Sequence, residues 1–168
     1  MNAEDRLLFL RYALPCARTL VKRGSVSQDR IDELMMMVSE NRPPPEGAER
    51  IFVVANAMCG VIAKRMGKRG VDSEVIREYF LFEHSDVVDD RFELMRDFDP
   101  VGCKTYPGRV VGTGTGSAVV ETVLGRRDYR TAFSESLRPG DDVVVHYDYV
   151  IEKIDAETTK RMKHPKAR

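Results

Sequence analysis

Cys103-Lys104-Thr105-Tyr106-Pro107-Gly108-Arg109-Val110 marks the point where this chain changes character. Before it, apolar residues recur at helical intervals. After it come short β-branched runs separated by glycine, the pattern of a small β-rich domain. A second string, Gly140-Asp141-Asp142-Val143-Val144-Val145-His146, runs on to Ile151-Glu152-Lys153-Ile154-Asp155. Together the two strings place a thiol and an imidazole at the two ends of one β-rich segment. A thiolate is a soft metal ligand and a nucleophile, and a neutral imidazole suits iron, zinc or a proton.

The 168 residues leave room for one ordinary domain or two small ones, and an apolar fraction of 42% with 32% charged residues indicates a globular chain rather than a disordered one. The formal net charge is zero, so nothing global points to nucleic acid or an anionic membrane. The basic runs Lys64–Arg69 and Lys160–Arg168 read as a solvated helix end and a terminus. No apolar run approaches the roughly 18 residues of a membrane span. Glu4, Asp5 and Arg6 do not fit a secretory signal. Cys16, Cys59 and Cys103 make neither a disulfide framework nor a zinc spacing, so reduced thiols and a cytoplasmic location are expected. There is no Ser/His/Asp arrangement, paired-carboxylate motif or P-loop, and Gly112–Gly116 reads as a hairpin turn rather than a phosphate cradle. An enzyme is not expected.

The helical segment divides at its punctuation. Leu7, Leu8, Leu10, Leu14, Ala17 and Val21 fit one helical face, with a kink or break at Pro15. Ser27 opens a second helix carrying Ile31, Leu34, Met35 and Val38, and Pro43-Pro44-Pro45 forms a stiff connector. A third helix is expected from about Ala48 to Met66, ending at Gly67 or Gly70. Asp72 or Ser73 would cap a fourth, and Ser85-Asp86 a fifth carrying Val88, Phe92, Leu94 and Met95. His84, beside Glu83 and Asp86, reads as part of that helix start rather than as a metal ligand. Met35-Met36-Met37 reads as core, with an adaptable binding surface as the alternative.

Beyond the junction Asp99-Pro100-Val101-Gly102, strands are expected at Arg109–Val111, Ala118–Val123, about Arg127–Phe133 and, most strongly, Asp142–Ile154. In the last, Val143, Val145, Tyr147, Tyr149 and Ile151 would face the core, with His146 and Asp148 on the opposite face. Asp155 would cap a terminal helix. The expected fold is α+β: a helical domain over residues 1–100, then a small OB-like β-barrel with a C-terminal helix over 101–168.

Residues from about 103 to 162 resemble the HypC/HupF family of hydrogenase maturation chaperones. The resemblance rests on the Cys-x-x-x-Pro-Gly-Arg-Val opening at Cys103, the hairpin ending Ala118-Val119-Val120-Glu121, the Gly140–His146 string and the Ile151–Asp155 exit. It implies a non-catalytic escort that helps build the iron centre of [NiFe] hydrogenases. Such a protein binds the iron–sulfur partner HypD and delivers iron carrying cyanide and carbon monoxide, the Fe(CN)2CO unit, to the large-subunit precursor. It further implies metal ligation at Cys103 and His146, and partner contact at Cys103, Pro107, Gly108 and His146. The iron would be transient cargo, with no permanently bound cofactor. Lys104 or Arg109 could lower the thiol pKa. In the family the cysteine follows the initiator methionine, whereas here it stands behind residues 1–102 and its nitrogen is a peptide nitrogen.

Two alternatives remain. One is an OB-like single-strand nucleic-acid binder using Tyr129, Tyr147 and Tyr149 with Arg126, Arg127 and Arg130. The other is a divergent structural or regulatory protein that has lost metal handling.

Overall fold

Pro15 breaks the first helix as its missing N–H requires: α1 (Ala3–Ala13) passes through a 3-10 turn (Leu14–Cys16) into α2 (Ala17–Lys22). The computed structural model of the chain describes residues 1–92, 98–134 and 136–163. Ser27 caps α3 (Gln28–Ser39) by accepting from the Arg30 N–H at 3.3 Å, and Ile31, Leu34 and Val38 face inward. Met35 is only partly buried and Met36 is half exposed, so the methionine run is not all core. A 3-10 turn (Ala48–Ile51) leads into α4 (Val53–Arg65), and Gly67 closes the segment at φ 69°.

Asp72 caps α5 (Ser73–Arg77) through the Val75 N–H at 3.0 Å. A π-helical segment (Glu78–Glu83) follows, then α6 (His84–Phe92). The expected cap at Ser85-Asp86 does not form, because His84 keeps helical φ/ψ of −59° and −42° and the helix enters α6 without a break. Leu94 and Met95, expected on that helix, lie outside the described residues. Contacts divide the chain into two compact units, Met1–His84 and Ser85–Arg168.

The helical unit is held by stacked and edge-on rings. Tyr12 stacks on Phe80 at 4.8 Å between centroids, and Phe9 meets Phe80 edge-on at 5.7 Å. Arg6 lies nearly buried against Glu49 at 2.9 Å and donates to the Pro44 carbonyl at 3.3 Å, fixing the triple-proline connector to α1. Among the described residues no helix is long and apolar enough to cross a membrane.

In the second unit, α7 (Pro100–Cys103) precedes β1 (Thr105–Gly114), β2 (Ser117–Thr122), β3 (Gly125–Arg130), β4 (Asp142–His146), β5 (Tyr149–Lys153) and α8 (Ala156–Lys163). The strands close into a five-stranded barrel in the order β1-β2-β3-β5-β4, completed by the parallel pairing of Arg130 with Tyr149. With the C-terminal helix this is the expected α+β barrel. Its core is Val110, Ala118, Val120, Tyr129, Val143, Val145 and Val150, with Tyr106 and Leu137 against it.

The expected single strand over residues 142–154 is instead a hairpin, β4–β5, turning at Tyr147-Asp148. Tyr147 takes φ 50°, a left-handed conformation that costs a residue with a Cβ. Its N–H donates to the Gly102 carbonyl at 3.0 Å and so secures the turn. β1 also starts earlier than expected, at Thr105, because it pairs with β4 from Thr105–His146 to Arg109–Asp142.

Asp155 caps α8, accepting from the Thr158 N–H at 2.7 Å. That bond, first among its causes, holds the Asp155 carboxyl below the usual carboxylate range. A carboxylate whose pKa is depressed by folding stabilises the folded state above its unfolded pKa, and loses that contribution as pH falls through the folded value. Asp155→Ala is therefore expected to speed hydrogen exchange at Thr158 and Thr159 at neutral pH. The gap to wild type should close under strongly acidic conditions.

Candidate metal centre

Cys103 reaches its place through the short turn that precedes β1. Asp99 accepts from the Gly102 N–H at 2.9 Å, Pro100 supplies a preset first residue, and the Cys103 N–H donates to the Asp99 carbonyl at 3.1 Å. Tyr106 buttresses the turn from the barrel side, its hydroxyl donating to the Val101 carbonyl at 3.0 Å. Burial first, then the charges of Asp89 and Asp99, raise the Tyr106 pKa, so the phenol keeps the proton that this bond needs.

His146 arrives from the other direction, at the end of β4. The β1–β4 register sets it opposite Thr105, two residues beyond Cys103. It is fully buried, so the face opposite the barrel core is a covered one; Val144, on the same side, is fully buried as well. His146 Nε2 lies 2.7 Å from the Cys103 carbonyl oxygen. A carbonyl can only accept, so Nε2 carries the proton and donates, and in the neutral ring Nδ1 holds the lone pair. The Tyr147 ring stacks beside the imidazole at 5.5 Å.

The backbone of Cys103 is thus tied at both ends, to Asp99 and to His146. Its sulfur and a ring nitrogen of His146 lie within 4.8 Å of one another, and Cys103 is 5% exposed. A soft anionic ligand and a borderline nitrogen ligand, held by a closed hydrogen-bond frame, form a set that a thiophilic transition metal fits.

Gly102 belongs to the same frame. A Cβ there would fall 2.8 and 2.9 Å from two Tyr147 ring carbons. Gly102→Ala is expected to displace the ring, lowering barrel stability by about 1–3 kcal/mol in a denaturant titration.

The other residues singled out in the sequence take different places. Lys104 pairs with Asp89 at 2.5 Å and Arg109 with Asp142 at 3.0 Å, so each expected thiol-activating cation has its own carboxylate. Pro107 is partly exposed and pairs with Val144 at a position that β2 does not reach, where its missing N–H costs no ladder bond. Gly108 is buried against β2. Tyr129 and Tyr147 are buried and Tyr149 stacks on Phe133 at 4.9 Å, so the tyrosines do not form an open stacking platform for bases.

The helical unit holds two residues, Cys16 and His84, that the sequence reading considered singly and did not bring together. His84 is the first residue of α6, as a helix-start residue would be, and is 7% exposed, with its Nδ1 3.2 Å from the Tyr79 hydroxyl. Cys16 Sγ lies within 4.8 Å of a ring nitrogen of His84. The Pro15 break beside Cys16 was the only local signal, and nothing in the spacing of the two residues reveals their approach.

A comparison with curated proteins returns no match. Residues 103–164, the C-terminal barrel with its helix, match the HupF/HypC family, a span that begins at Cys103, takes in His146 and ends just past α8.

Proposed function

We propose that this chain is a hydrogenase maturation chaperone whose barrel carries iron between a HypD-like iron–sulfur protein and a hydrogenase large-subunit precursor. The observation that carries this reading is the approach of Cys103 and His146 within 4.8 Å, inside a barrel that matches this family. The cargo is an Fe(CN)2CO unit. Low-spin iron with strong-field ligands is soft enough to favour a thiolate. On loading, the Cys103 S–H bond is replaced by a sulfur–iron bond and the proton leaves to solvent or buffer. His146 holds Cys103 through the carbonyl bond and offers its second nitrogen as a supporting ligand or proton acceptor.

The internal position of Cys103 means that no free amine takes part, since its amide N–H is committed to the Asp99 carbonyl. Of the expected contact set Cys103, Pro107, Gly108 and His146, the buried Cys103, Gly108 and His146 lie behind the surface that a partner would meet. Of these Pro107 is partly exposed, whereas Gly108 acts by letting the strands approach.

Affinity capture of the full chain from anaerobic extract of its native cells tests this. The wild type is expected to retain a HypD-like protein and iron, and Cys103→Ala to lose at least nine-tenths of the iron. Equal iron in both, or no maturation partner with either, would overturn the proposal.

A further inference from the structure

One side of β3 is unused. The strand pairs with β2 over its whole length, from Gly125–Thr122 to Arg130–Ser117. On its other side the barrel closes at Arg130, which pairs with Tyr149, and among the described residues no further pairing joins β3 to β5. Two bonds at that end fix the direction of the backbone groups. The Arg130 N–H donates to the Asp148 carbonyl at 2.8 Å, away from β2, and the Thr131 N–H donates to the Gly116 carbonyl at 3.0 Å, on the β2 side. Backbone groups alternate in direction along an antiparallel strand, so the N–H and C=O of Asp128 and Arg126 also point away from β2. Among the described residues nothing bonds to them. The second side of β5, by contrast, is covered, since Ser134 Oγ donates to the Val150 carbonyl at 3.3 Å.

An open strand edge offers donors and acceptors to another extended chain. Charged side chains commonly guard such an edge, and here most of the charge has one sign. Arg126, Arg127 and Arg130 are exposed on β3 against one carboxylate of the strand, Asp128. Arg126 pairs with Glu121 at 3.0 Å, and Arg130 lies 5.8 Å from the centre of the Tyr149 ring. Neither Arg127 nor Arg130 has a carboxylate partner among the described residues. At the end of the strand, Thr122 Oγ1 accepts from the Leu124 N–H at 3.1 Å and holds a tip on which Val123 is 83% and Leu124 40% exposed. The edge thus has a cationic middle and an apolar end. Its charge repels a second copy of itself and attracts carboxylates.

We infer that the β3 edge receives an extended acidic segment of a partner protein, which joins the barrel as an added strand. Backbone bonds to Arg126 and Asp128 hold the segment, Arg127 and Arg130 select carboxylates on it, and Val123 and Leu124 take an apolar residue at its end. The edge uses neither Cys103 nor His146, so this docking is independent of the iron that the barrel carries.

Residue-resolved hydrogen exchange of the full chain tests the inference, with a capped peptide of about eight residues alternating glutamate and valine as the probe. The peptide is expected to slow exchange at Arg126 and Asp128 and to leave Arg127 and Tyr129, whose N–H groups already face β2, unchanged. The same peptide with lysine in place of glutamate should leave all four unchanged. Asp128→Pro removes an outward N–H and no bond to β2, so it should keep the barrel and weaken the glutamate peptide about tenfold or more. Loss of the carboxylate alone would favour an acidic peptide, so that weakening reads the backbone bond. Arg127→Glu, at an exposed position, should weaken the peptide as much and serves if the proline variant fails to fold. No slowing at Arg126 and Asp128, equal effects of the two peptides, or wild-type affinity in Arg127→Glu would overturn the inference. So would slow exchange of the two amides without peptide, which would show the edge occupied by this chain or a second copy. Iron capture through Cys103 is a separate readout: its loss would refute the proposed function and leave the peptide result standing.

Discussion

Gly108→Val is expected to unfold the barrel at temperatures where the wild type is stable. A Cβ at Gly108 would sit 2.6 Å from Val120 Cγ1, 2.8 Å from Thr122 Cγ2 and 3.0 Å from the Glu121 carbonyl oxygen. The side-chain contacts could yield by rotation, but the backbone oxygen belongs to β2, and β2 pairs with β1 from Gly108–Thr122 onward. Separating the strands there would disturb the ladder on which Val110 and Val120 meet in the core. Overpacking of this kind costs about 3 kcal/mol or somewhat more, a large part of the stability of a small domain. Circular dichroism during thermal unfolding should show the strand signal lost well before that of the wild type. An unchanged midpoint would show that Gly108 serves contact with a partner rather than packing.

His146→Ala is expected to damage stability and metal handling together, and His146→Gln to separate the two. Alanine leaves a cavity at a fully buried position and strips the Cys103 carbonyl of its donor. An unsatisfied buried acceptor costs about 1–3 kcal/mol, and the cavity adds to it. Glutamine can return an N–H to that carbonyl but supplies no imidazole nitrogen. The glutamine variant should therefore keep most of the stability while losing iron by tenfold or more. If it retains iron at the wild-type level, His146 acts only as a structural anchor of Cys103.

The sequence made some of this legible and concealed the rest for identifiable reasons. Pro15, Ser27, Asp72 and Asp155 act locally, through a missing donor or a cap, and each appears where the chain predicts it. Alternation identified the core valines Val143 and Val145. It could not reveal the turn at Tyr147-Asp148, because a left-handed tyrosine gives none of the signals that glycine or asparagine would give. Alternation also put His146 on the second face of β4 without showing that this face is buried. That burial follows from tertiary packing, as α8 lies against β1 and β4 and the Tyr147 ring stacks on the imidazole. The approach of Cys103 and His146 was implied only by family resemblance, and the β1–β4 register supplies its physical cause. Cys16 and His84 left no usable trace, because the π segment that aligns Tyr79 with His84 depends on packing rather than on local residue preference.

Infrared spectroscopy of the full chain captured anaerobically from its native cells, wild type beside Cys103→Ala, examines the iron-carrying role at the level of the cargo itself. Bands of iron-bound cyanide and carbon monoxide in the wild type, absent from Cys103→Ala, are the predicted result. A wild-type sample without those bands, or bands of equal strength in the variant, would contradict iron carriage by Cys103.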